Sequence, residues 1–169
     1  MPLDPEAAEI TALRVWHCNY TSLGPLAQYP NLNTLVVGSY PDTDLEPIAS
    51  LVFLEYLSIL HMPYVTDLGP LARLTNLRTV RLSTLPSWDS SGKVTEVDSL
   101  RPLASLPALK YLELFDVRPT SKSLHELESA PGLTSVRVSK YPKAEVIRFR
   151  EVANVTDAYA PSPGIVDWD

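Results

Sequence analysis

Three histidines, one cysteine and twenty acidic residues are the groups in this 169-residue sequence with the chemistry for acid–base, nucleophilic or metal-assisted catalysis. His17 and His61 hold equivalent places in a repeating pattern but stand two repeats apart. At a strand spacing of ~4.8 Å that separates them by about 10 Å, too far to share one metal ion directly. Neither has a carboxylate beside it in its row to orient the imidazole. Cys18 falls at an inward-turning position, where a buried thiol is inert. There is no G-x-x-x-x-G-K, no G-x-G-x-x-G and no paired-cysteine metal spacing. The sequence reads as that of a non-enzyme without cofactor or metal, so its function must lie in a surface.

The elements that would build that surface follow from the leucines. Six units open at Ile10, Leu32, Leu54, Leu77, Leu109 and Leu133, spaced by 22, 22, 23, 32 and 24 residues. Leu54–Asn76 is the clearest unit. Each opens with L-x-x-L-x-L or a variant, the period-2 pattern of a half-buried strand. In four units the second half carries L-x-P-L-A or L-x-P-I-A, at Leu23, Leu45, Leu68 and Leu100. Proline there pre-sets φ for a first helical turn and gives up only an amide that would be unpaired anyway. Asp44, Asp67 and Ser99, each just before the leucine, are placed to cap or tighten those turns. No single unit can bury its own leucines, so stability must come from stacking. The expected fold is an α/β solenoid: one parallel sheet on the concave side, short helical or 3₁₀ turns on the convex side.

These repeats resemble the leucine-rich-repeat family, and the 22-residue form resembles the bacterial internalin type, over roughly Ile10 to Val138. The resemblance implies a horseshoe or arc used for protein binding. The family places asparagine or cysteine at the ninth position of each unit to bond the turning backbone. Cys18 fits, but Tyr40, Met62, Leu85, Val117 and Tyr141 stand at the others, so those turns must find other partners. The expected organisation is a lead at 1–9, with one shielding turn over Asp4–Ala8 in place of the long helical cap of internalins; repeats at 10–140 with an insertion at 83–99; a C-terminal cap at 141–160; and a tail at 161–169. Val146, Phe149 and Val152 have helix-like spacing for that cap, although VIRF also suits a further strand. Trp168 in the tail packs back or meets a partner, and the first is favoured.

Residues between the inward leucines should face the concave side. The rows run Ala12, Thr34, Tyr56, Thr79, Tyr111, Ser135; then Arg14, Val36, Ser58, Arg81, Glu113, Arg137; then Trp16, Gly38, Leu60, Ser83, Phe115, Ser139; and finally His17, Ser39, His61, Thr84, Asp116, Lys140. Trp16, Tyr56, Leu60, Tyr111 and Phe115 thus put large apolar groups on an outward face. Such a patch marks a binding site unless its members cover one another or lie under the insertion. Arg14, Arg81, Arg137 and Lys140 against Glu113 and Asp116 leave the face more positive than the acidic body. In the insertion, Trp88 and Asp89 read either as partner contacts or, for Trp88, as a plug over the widened stack. Asp42, Asp44 and Glu46 suggest an acidic rim.

A net charge of −6 disfavours bulk attraction to nucleic acid or anionic lipid. One cysteine forms no internal disulfide, and MPLDPEAAEI lacks a signal-peptide pattern, so a soluble cytoplasmic domain is the default expectation, with export lacking a classical signal as the alternative. No apolar run reaches the ~18 residues of a membrane span. The sequence points to a non-catalytic module that binds a protein partner through its concave face and the Trp88 loop. Two alternatives remain: a stoichiometric inhibitor, such as an immunity protein occluding a toxin, and homo-oligomerisation through open solenoid edges.

Overall fold

The computed structural model describes residues 1–16 and 19–165, and the statements that follow concern those residues. Eight strands are present: β1 Ala12–Val15, β2 Thr34–Gly38, β3 Tyr56–Leu60, β4 Thr79–Ser83, β5 Thr95–Val97, β6 Tyr111–Phe115, β7 Val117–Pro119 and β8 Ser135–Val138. Four short helices accompany them: α1 Glu46–Ala49, α2 Pro86–Ser90, α3 Arg101–Ala104 and α4 Lys143–Ala153. Further 3₁₀ turns span Gly24–Gln28, Gly69–Arg73 and His125–Ser129. Six strands form one parallel sheet in the order β1-β2-β3-β4-β6-β8, while β5 and β7 pair separately.

Register keeps equivalent residues side by side. Leu13, Leu35, Leu57, Val80, Leu112 and Val136 form one continuous row across the sheet. From Leu35 to Val136 this row is almost fully buried, whereas Leu13 and Ile10 in the first unit are only partly so. Each fully buried leucine is worth ~1.5–3 kcal/mol, and each needs a neighbour on both sides to reach that value. The core is therefore a spine between the sheet and the convex turns.

The convex turns are built alike. The side-chain oxygens of Ser22, Asp44, Asp67, Ser99 and Ser123 each accept the amide two residues on, at 3.0, 2.9, 2.7, 3.1 and 3.2 Å. At three of these turns a carboxylate of the following unit accepts the leucine amide. Asp42 takes Leu23 at 2.8 Å, Glu126 takes Leu100 at 2.6 Å and Glu145 takes Leu124 at 2.7 Å. Glu46 pairs with Arg73. Asp42, Asp44 and Glu46 are thus structural contacts rather than a free acidic rim.

At the concave-to-convex corner, Ser39, His61, Asp116 and Lys140 lie in the left-handed region, with φ of 65°, 69°, 58° and 60°. This conformation disfavours side chains, but it turns successive amides toward the next unit. Ser39 N donates to Leu60 O at 2.6 Å, Tyr40 N to His61 O at 2.8 Å, and His61 N to Ser83 O at 2.6 Å. Backbone bonds from unit to unit do the work of the missing asparagines. Tyr40 and Tyr141 at the ninth positions add their hydroxyls, which donate to Asp44 O at 2.9 Å and Val117 O at 3.2 Å.

At the N-terminal end, a turn around Ala7 is fastened to the first convex turn, with Asp4 N donating to Gln28 Oε1 at 2.8 Å. At the other end, α4 buries Phe149 and packs Val146 against the core, but Val152, expected to face inward, is 59% exposed. The helix breaks at Asn154 in the left-handed conformation, and Val155 is buried immediately after it. Thr156 then bridges to β8 in parallel, so the segment VIRF is helical and a strand-like bridge follows it. Among the described residues no helix is long and apolar enough to cross a membrane.

Candidate functional site

The concave face presents the side chains between the inward rows, and the sheet sets them one strand spacing apart. At that distance neighbours cover each other. Of the two readings of these apolar groups, mutual cover prevails: Tyr56 is buried, Leu60, Tyr111 and Phe115 are half-buried, and of the five Trp16 alone is exposed, at 41%. The sharpest departure is Glu113, a carboxylate on the outward row that is only 2% exposed.

Glu113 lies between two guanidinium groups. Arg81 Nε donates to its Oε2 at 2.7 Å, Arg137 Nη1 donates to Oε1 at 3.0 Å, and the Ala160 amide reaches Oε1 at 3.3 Å. Burial alone would raise its pKa, but the Ala160 amide, Arg137 and Arg81 together hold it below the ordinary carboxylate value. Arg81 also donates to the Tyr56 hydroxyl at 3.2 Å. Burial works against its charge, but Tyr56 and Glu113 outweigh that and raise its pKa. This cluster stays ionised, and its two guanidinium groups outnumber its one carboxylate.

Beside the cluster the face sinks into a cavity of about 330 Å³. Trp16, Val36, Leu60 and Phe115 supply apolar walls, and Arg14, Ser58, Arg81 and Ser83 supply polar ones. Trp16 reaches over β2 at Gly38, where a Cβ would stand 2.7 Å from its ring. A side chain at position 38 would push the Trp16 ring away from β2, so glycine lets the ring lie over the strand.

The insertion folds back on the sheet corner. Trp88, at the centre of α2, packs edge-on against His61 with ring centroids 4.7 Å apart, and Lys93 sits 5.6 Å from the Trp88 ring. Asp89 pairs with Lys140 at 2.8 Å, a contact that lowers the pKa of Asp89 and raises that of Lys140. Asp116 is buried, accepting from Ser139 Oγ at 2.6 Å and Thr84 Oγ1 at 3.3 Å. The row from Ser39 to Lys140, apart from Thr84, is therefore a left-handed corner rather than extended strand, and His61 serves there as a packing partner whose pKa burial lowers. Pro86 at the first helical position was the signal for α2. His17, Cys18 and Trp168 lie outside the described residues.

One histidine–carboxylate pair does form, on the convex side. His125 Nδ1 lies 3.0 Å from Glu128 Oε2, with the imidazole 78% exposed. It borders a broad convex groove with Ser105 and Ser129, but both serine hydroxyls donate to main-chain carbonyls, of Pro102 and Glu126. No activated nucleophile results. Among the described residues no group of three His, Cys, Asp or Glu is arranged to hold a metal ion.

No protein-family model matches the chain, and no curated protein matches its sequence. Solved structures do match. Internalin C2 from Listeria monocytogenes is 28% identical with a TM-score of 0.60, over 79% of this chain and 54% of that one. An internalin F from the same organism is 19% identical with a TM-score of 0.49, over 89% of this chain and 54% of that one. The chain thus spans about half the length of each internalin. Six in-register strands, the proline-started convex turns and the internalin C2 match agree on the fold: a leucine-rich-repeat solenoid similar to that of internalin C2.

Proposed function

We propose that the protein is a non-catalytic recognition module whose concave face holds a protein partner. The observation that carries this reading is the cavity of about 330 Å³ between Trp16, Leu60, Phe115, Arg14 and Arg81. An exposed aromatic beside aliphatic walls and guanidinium groups is the composition of an interface anchor. It suits an apolar side chain of the partner flanked by carboxylates, which also steer approach toward the arginines. The buried Glu113 ion pairs pre-organise Arg81 and Arg137, so little ordering remains when the partner arrives. The α2 segment, tied down through Asp89 and Lys140, offers a fixed edge for a second contact at Trp88.

The test is affinity capture from the native organism with wild-type bait and with the Trp16→Ala/Phe115→Ala variant, the two first matched by thermal unfolding. We expect one protein to be retained by wild type alone, with the double variant weakening purified binding by about 30-fold or more. Equal retention by both baits would remove the concave cavity from the interface. A dissociation half-life of hours would favour an inhibitor that occludes its target, and one of seconds an adaptor that exchanges.

A further inference from the structure

The concave face already carries a segment of its own chain. Beyond the bridge at Thr156, residues 158–160 turn onto the sheet and make three contacts of different kinds. Ser135 Oγ donates to Ala158 O at 2.7 Å, and the Ala160 amide donates to Glu113 Oε1 at 3.3 Å. Between them the Tyr159 ring lies 3.7 Å from the Arg137 guanidinium carbon. With the segment in place, Ser135 and Glu113 are both 2% exposed.

The contacts have the chemistry of peptide capture: one main-chain acceptor, one main-chain donor and one aromatic ring on a guanidinium. The hold is shallow, since Tyr159 is 77% exposed and Asp157 and Ala158 are also exposed. A segment secured by a few solvent-facing contacts opens more readily than the core beneath it. Its seat adjoins the cavity, because Arg137 also lies 5.2 Å from the Phe115 ring, which forms a cavity wall.

We infer that Ala158–Ala160 is an intramolecular ligand of the concave face, and that a protein partner presenting an extended small–aromatic–small segment takes its place on Ser135, Arg137 and Glu113. The inference deepens the concave-face reading and rests on it for the partner's role. The main-chain contacts are indifferent to sequence, so selectivity falls on the aromatic that covers Arg137. A tethered segment competes at an effective concentration of order millimolar, so the seat is masked in the intact chain and unmasked when the tail is loosened.

The test needs no partner. A fluorescently labelled synthetic peptide of residues 156–163 is titrated by anisotropy into the 169-residue chain, wild type and Tyr159→Ala. The exposure of Tyr159 makes that substitution safe for folding. We expect Tyr159→Ala to bind the peptide about ten-fold more tightly than wild type. Binding should vanish when Arg137→Gln is added or when the peptide's tyrosine is replaced by alanine. Equal affinity for the two chains, no binding to Tyr159→Ala at millimolar peptide, or binding that survives either replacement would overturn the inference. Each of these outcomes leaves the capture experiment with Trp16→Ala/Phe115→Ala to be judged separately.

Discussion

Glu113 shows how a residue on an outward row becomes part of the interior. A buried carboxylate is costly alone, yet two guanidinium groups and an amide keep it charged. Removing any one of them leaves a charge without its full set of partners, which is why the cluster is a positioning device for Arg81 and Arg137. His61 is a second case. Its Nδ1 is buried without a hydrogen-bond partner and its ring meets Trp88, so the neutral imidazole is favoured. A depressed histidine pKa gives stability that is full above the ordinary value of 6.5 and is lost as pH falls through the folded value. Trp88→Ala should let water reach His61 and raise its pKa toward 6.5, as read by NMR titration, while costing ~1–3 kcal/mol of stability. An unchanged His61 titration would mean that Trp88 does not supply the burial.

At the scale of elements, the convex turns depend on side chains borrowed from the next unit. Glu145 at the start of α4 is the clearest example. It accepts the Leu124 amide and the Ser123 hydroxyl while pairing with Arg148 at 2.8 Å. Arg148 is the largest influence on its pKa, which is held down to about 2 from an ordinary 4.5. The folded carboxyl is the stronger acid, so its contribution is complete above pH 4.5 and is lost progressively as pH falls toward 2. Glu145→Gln should therefore unfold more easily at pH 7, by ~1–3 kcal/mol, and lose less further stability on acidification than wild type. Denaturant titrations at both pH values check this; parallel losses in the two proteins would contradict it. These turns were legible in part. The proline and the Asp or Ser three residues before it are local signals, whereas Glu145 acting on Leu124 couples residues 21 apart in sequence and leaves no periodic trace.

At the scale of the whole molecule, the sheet was readable because every unit repeats the same inward leucines, and a parallel register follows from stacking like on like. What escaped were contacts that break the repeat. Tyr56 and Glu113 are buried by neighbours that a single-strand pattern does not show, and Val152 faces solvent while Ala153, four residues after Phe149, takes the inward position on α4. The Ala160–Glu113 contact joins residues 47 apart and belongs to no repeat at all. On the proposed function, the concave cavity meets the partner and the convex turns do not. The most direct measurement places a photo-crosslinking amino acid at half-buried Leu60 in the cavity or at exposed His125 on the convex groove, in the presence of the captured partner. A covalent adduct is expected from position 60 and none from position 125; an adduct from position 125 alone would put the partner on the convex side and overturn the proposal.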